Sequence, residues 1–192
     1  MREATYYVGV SLDGRIAAPD GTFDAFPVEG DHLQVLMHEY TDAIPTHIQD
    51  AVGVKATTTM FDTVLMGWET YTPALKEGID SPYRHLRQII ASRRQREVPE
   101  GIEVTAEPLQ RLRELKAEDG AGIYIAGGGA LAGAVLPEID RLVLKIYPVV
   151  LGAGIPLFGG IDYSPDDFQR IEVRTFDSGM IMAEYRRSAA RT

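Results

Sequence analysis

Cysteine is absent from all 192 residues, which excludes disulfides, thiolate metal ligands and a cysteine nucleophile and fits a reducing compartment. Histidine is scarce. The four are His32, His38, His47 and His85; His38-Glu39 opens like H-E-x-x-H, but Asp42 stands where the second histidine belongs, so no metal is expected. His32 and His47 read as surface residues, and neither Ser11 nor Ser178 has a histidine placed for hydrolase chemistry. The G-K-[ST] of a P-loop is missing. Positive charge is the minority sign: 19 basic against 28 acidic residues give a net charge of −9, which repels nucleic acid and anionic membranes. A phosphate site would therefore need a local basic island. No leader pattern opens the chain and no apolar run approaches about 18 residues, so cytoplasm is the expected location. With no repeat, low-complexity tract or linker, residues 1–192 are expected to form one domain.

What the chain does have is a strand that runs into glycine. Ile123-Tyr124-Ile125-Ala126 reads as buried strand, Gly127-Gly128-Gly129 as a turn, and Ala130 to Leu136 as a helix. Glycines there permit positive φ and leave no Cβ in the way of a ligand approaching the amides at the helix start. Short apolar or alternating runs predict further strands at 5–11, 63–66, 88–91, 102–105 and 141–147. Helices are predicted at 31–40 with Asp31 as cap, within 44–59 with a break at Gly53, from Trp68 to Pro73, and at 109–118. Residues 15–30 read as an irregular loop, of the length that is usually functional. Segments 168–176 and 180–186, joined by Asp177-Ser178-Gly179, form a terminal hairpin. Strands alternating with helices imply βαβ units. The expected fold is therefore α/β, a mixed, mostly parallel sheet of about eight strands flanked by helices and closed by an antiparallel hairpin.

Ligands of such sheets gather beyond the carboxyl ends of the parallel strands. Those ends carry Ser11-Leu12-Asp13-Gly14-Arg15-Ile16-Ala17, Gly67-Trp68-Glu69-Thr70, Ser92-Arg93-Arg94 and the triple glycine. Arg93, Arg94 and Arg96 supply the basic island; as a bare sequence feature they equally fit a solvated arginine run. Gly127, Gly129 and Ala132 satisfy G-x-G-x-x-[GA], but the strand that follows ends in Tyr147-Pro148 with no acidic residue for a ribose, so a standard NAD-type Rossmann unit is not expected.

These segments, together with Leu65-Met66-Gly67 before Thr70-Tyr71 and the run from Tyr147-Pro148 through Gly152-Ala153-Gly154 to Pro156-Leu157-Phe158, resemble the dihydrofolate-reductase-like reductases. More narrowly, the chain is similar over its whole length to the reductase domain of bacterial riboflavin biosynthesis and its stand-alone relatives. The resemblance implies a reductase that moves a hydride from NADPH, or NADH, to a C=N or C=O of a small heterocyclic or sugar-like substrate. It places Gly67, Thr70, Gly127, Gly128, Gly129, Ala130 and Leu131 around the cofactor phosphates and ribose, and Ser92 and Arg93 by the 2′-phosphate. Ala17 would border the nicotinamide, and Ser11, Tyr147 and Pro148 would lie by the substrate. It also implies a homodimer. Trp68 departs from the family's basic residue after the glycine, and is expected to stack on the cofactor instead. Asp13 is expected to be catalytic, a carboxyl whose pKa is raised until it donates or relays a proton, although it also fits a plain Asp-Gly turn. Two alternatives remain: a true dihydrofolate reductase, with Asp31 as its folate acid, and a non-catalytic nucleotide-binding module.

Overall fold

A computed structural model of the chain describes residues 1–188. Ten strands and five α-helices occur among them: β1 Ala4–Val10, β2 Arg15–Ala17, α1 His32–Glu39, α2 Thr46–Val52, β3 Phe61–Gly67, α3 Trp68–Lys76, β4 Arg87–Ala91, β5 Ile102–Thr105, α4 Pro108–Ala117, β6 Gly122–Ala126, α5 Gly129–Val135, β7 Arg141–Ile146, β8 Ile155–Pro156, β9 Phe168–Thr175 and β10 Ile181–Arg187. Eight strands form one sheet in the order β5-β4-β3-β6-β1-β7-β10-β9. The first six in that order are parallel, and β10 and β9 add the antiparallel hairpin. The expected mostly parallel sheet of eight strands is therefore found.

The two-residue period of the strands sorts their side chains into two cores. Tyr6, Val8, Leu65, Ile123 and Ile125 face α4 and α5, where Leu112, Leu115, Leu131 and Val135 cover them. Tyr7, Val64, Met66, Tyr124, Val143 and Met182 face the other way, against Leu36 of α1, Tyr40 and Tyr71 of α3. Because both faces are covered, the central strands read as apolar runs, whereas Ile171 and Val173 on the edge strand β9 remain exposed.

Three local expectations are corrected. Residues 15–30 are not wholly irregular: β2 pairs with β8, and Gly154 makes this possible, since a Cβ there would fall 2.1 Å from the Ala17 carbonyl oxygen. The helix opened by Trp68 continues through Pro73 to Lys76. Proline removes only the hydrogen bond to the carbonyl of Glu69, an exposed residue that water can serve, while Thr72 Oγ1 donates to the Trp68 carbonyl at 2.9 Å. Finally, Asp31 does not cap α1. Its carboxylate accepts from the amides of Asp177 and Ser178 at 2.8 and 3.1 Å, tying the hairpin turn to the start of the helix. No helix among the described residues is long and apolar enough to cross a membrane.

Candidate functional site

Parallel pairing from β4 to β7 sends the residues after β4, β3, β6, β1 and β7 to one edge of the sheet. The segments singled out in the sequence meet there.

One half of this edge is built of backbone. Gly127 and Gly128 take φ of 60° and 68°, which only glycine adopts without strain. A Cβ on Gly127 would come within 2.8 Å of Thr70 Oγ1, and one on Gly67 would lie 3.9 Å from both Thr70 Oγ1 and Leu131 Cβ. Gly67, Thr70, Gly127, Gly128 and Leu131 are thus brought together. The amides of Gly129, Ala130 and Leu131 open α5, where a helix provides them no acceptor of its own. Gly129 has a second reason to be glycine. A Cβ there would lie 2.0 Å from the Pro156 carbonyl oxygen, and one turn later a Cβ on Gly133 would lie 2.1 Å from that of Gly159. Gly159 donates its amide to the Gly129 carbonyl at 2.8 Å, locking the segment after β8 across the helix start.

Beside this cradle, the Arg96 guanidinium lies over the Trp68 ring, 4.2 Å from the centroid, and Tyr71 meets that ring edge-on. Ser92 Oγ donates to the Arg94 carbonyl at 2.8 Å and accepts from the Arg94 amide and Arg96 Nε, which shapes the turn after β4. Arg93 and Arg94 are exposed and, among the described residues, pair with no carboxylate.

The Asp13 expectation is overturned in its chemistry. Asp13 is exposed, and its carboxylate accepts from Ser11 Oγ at 2.6 Å and from the Leu151 and Gly152 amides at 3.0 and 2.8 Å. The Ser11 hydroxyl first, and then these amides, pull its pKa down to about 2. A carboxylate so held is ionised throughout the neutral range and is no proton donor. Ser11 is buried and receives the Arg15 amide as well, so its hydroxyl belongs to the turn. Ala17, on β2, packs beside Gly154 in the ribbon that crosses this edge.

The other half of the edge is built of side chains. Tyr147 is buried with its ring against Phe26, 5.0 Å between centroids, and its pKa is raised by that burial. Pro148 points elsewhere, exposed beside Gly179 of the hairpin turn. His32 is a correction: it is fully buried, edge-on to Tyr147 and Phe176, with Nδ1 2.9 Å from Ser178 Oγ. Burial lowers its pKa and the Lys145 charge adds to the lowering, while Asp31 and a backbone hydrogen bond to Pro27 oppose it. His47, also expected at the surface, is half-buried. Lys145 lies outside the segments that the sequence singles out. Its Nζ lies over the Tyr7 ring at 4.0 Å, and burial lowers its pKa to about 8. The signal was present: Lys145 is the one charged residue inside the apolar run from Leu142 to Tyr147 and shares a face with Val143 and Tyr147. A concavity lined by Arg2, Thr5, Met60, Gly120 and Arg141 opens at the opposite, amino end of the strands and holds none of these groups.

Residues 3–182 match the family model described as the RibD C-terminal domain. The uncharacterized protein YwjB of Bacillus subtilis (strain 168) is 32% identical over 162 residues, 82% of this chain and 83% of that protein. The uncharacterized protein YyaP of the same organism is 33% identical over 103 residues, 52% of this chain and 54% of YyaP. Among solved structures, a protein assigned to riboflavin biosynthesis in Shewanella sp. PV-4 shares the fold with a TM-score of 0.71 at 24% identity, covering 97% of this chain and 99% of that one. A diaminohydroxyphosphoribosylaminopyrimidine deaminase/5-amino-6-(5-phosphoribosylamino)uracil reductase from Thermotoga maritima gives 0.66 at 17% identity, with 97% of this chain lying on 57% of that one.

Proposed function

The chain belongs to the RibD C-terminal domain family, and on that premise we propose that it is an NADPH-dependent reductase delivering hydride to a C=N or C=O of a small heterocyclic or sugar-like substrate. The observation that carries the reading is the meeting of a glycine-built cradle with two arginines that have no carboxylate partner among the described residues. The residues fit the cofactor. The amides from Gly127 to Leu131 would hold the pyrophosphate, Gly67 and Thr70 the adjoining ribose and phosphate, Arg93 and Arg94 the 2′-phosphate, and Ala17 would border the nicotinamide. Bound there, the dinucleotide supplies the hydride; this chain positions it and shields it from water. Asp13 enters as a positioning residue, holding the loop at Leu151 and Gly152 beside the turn after β1.

Asp31 argues against a dihydrofolate reductase, because its carboxylate is exposed and engaged by the hairpin amides. We further propose a cytoplasmic homodimer, supported by the exposed apolar side chains of Val150, Ile161, Ile171 and Val173. Sedimentation at micromolar concentration checks the dimer; a monomer would remove it. For the activity, the test is NADPH consumption by purified protein with a panel of cyclic imines and carbonyl compounds. Consumption that slows when NADH replaces NADPH is expected. Binding without consumption of either would leave a nucleotide-binding module, and no binding would overturn the reading.

A further inference from the structure

The two edges of the eight-stranded sheet are finished differently. β5 is four residues long and half-buried throughout, with Ile102 packed on the core and Glu103 held by Arg111 at 2.5 Å. β9 runs for eight residues and pairs only with β10. In an antiparallel pair alternate N–H and C=O groups point away from the neighbouring strand, and among the described residues those of β9 bond to nothing else. Nor is the edge blunted. β9 contains no proline and no lysine, and its Ile171 and Val173 are 52% and 44% exposed. A long edge strand with open backbone groups and exposed apolar side chains is a template for another strand.

The charges of β9 suit a second copy of itself. Glu172 stands opposite Glu184 and Arg174 opposite Met182, which puts both on the α1 face of the sheet; Val173, opposite Ala183, lies on the other face. A two-fold axis normal to the sheet pairs two such strands antiparallel and sets residues of one face against each other, so the axis passes through a single residue position. With Glu172 at the axis two carboxylates meet, and with Arg174 two guanidinium groups meet. With Val173 there, valine meets valine, and Glu172 of each copy stands opposite Arg174 of the other. Within one chain Arg174 already reaches Glu172 at 2.9 Å and Glu39 at 2.8 Å, so the facing pairs extend an existing network. Regular pairing stops at Ile171, which the bulge opposite Glu184 and Tyr185 leaves without a partner on β10. We propose that β9 is an isologous interface, through which two copies of this chain pair antiparallel about a two-fold axis at Val173 and join their eight-stranded sheets into one. This rests on the homodimer reading and specifies its surface; Val150 and Ile161, also exposed, lie off the strand.

Because the chain has no cysteine, a single introduced one reports only on its own position. Val173→Cys and Ile161→Cys, at positions 44% and 46% exposed, are oxidised with diamide at micromolar protein concentration. At the axis the two Cα atoms would be about 4.5–5.5 Å apart, within disulfide reach, so Val173→Cys should cross-link into a dimer at least about tenfold faster than Ile161→Cys. In parallel, wild type, Val173→Lys and Ile161→Lys are sedimented. Wild type and Ile161→Lys are expected to be dimers and Val173→Lys a monomer, since two ammonium groups would meet at the axis. A dimer that survives Val173→Lys, one lost with Ile161→Lys instead, or equal cross-linking at the two positions would overturn the β9 interface and leave the homodimer standing. A monomeric wild type would overturn both. Cross-linking keeps a small side chain at position 173, so it decides the matter if the lysine variant does not fold.

Discussion

The two halves of the sheet edge are made of opposite materials. Around Gly67, Thr70 and Gly127 to Leu131 the surface is backbone, and its positions are defined by where a Cβ cannot be. Around Lys145, His32, Phe26 and Tyr147 it is side chain, aromatic rings packed about one ammonium and one imidazole. The two halves differ in what they tolerate: Gly129 and Gly133 stand against backbone that cannot give way, whereas Lys145 lies against the Tyr7 ring, where a neutral side chain of similar length can take its place.

The largest expected effect comes from Gly129→Ala, whose methyl would meet the Pro156 carbonyl at 2.0 Å. A clash with backbone has no cheap relaxation, so a loss of about 3 kcal/mol is expected, lowering the melting temperature by roughly 6–12 °C. A melting temperature within a degree of wild type would show that the segment after β8 is not locked across α5. Lys145→Met is expected to move stability the other way. With a folded pKa near 8, against 10.5 in its ordinary state, the protonated lysine opposes folding. That penalty is complete below pH 8 and vanishes as pH rises through 10.5, so the variant should be about 1–3 kcal/mol more stable than wild type at pH 7 and equal to it at pH 11. Denaturant melts at the two pH values decide this, and a difference independent of pH would assign the effect to packing alone.

Smaller again is Arg93→Ala, expected to weaken NADPH about tenfold and NADH hardly at all. Equal losses for the two cofactors would remove Arg93 from the 2′-phosphate. The smallest effect is that of Asp13→Asn. The acceptor for the Leu151 and Gly152 amides is weakened, so their hydrogen exchange should quicken while the pH profile of turnover keeps its shape. Loss of one limb of that profile would restore Asp13 as the acid.

The backbone-built half was legible in the sequence because glycine announces itself. Gly127 and Gly128 were read from their position between a strand and a helix, and they occupy positive φ there. The sheet was legible for a related reason: strands buried on both faces, such as β3 and β6, are short unbroken apolar runs. The side-chain half was not. His32 was assigned to the surface because periodicity on an eight-residue helix cannot reveal that a distant hairpin turn folds over it. The lowered pKa of Asp13 is not legible in the sequence because two of its three donors lie on a loop 138 and 139 residues away. β2 escaped because three residues are too few to show alternation.

The central claim, that the glycine cradle and the arginines beside it hold NADPH, is met most directly through Trp68. It is the only tryptophan, and it lies between the cradle and the arginine turn under Arg96. Titrating the folded protein with NADPH and, separately, NADH should quench its emission saturably and transfer energy to the nicotinamide, with NADPH acting at the lower concentration. Emission unchanged by either cofactor, up to millimolar concentration, would contradict the account.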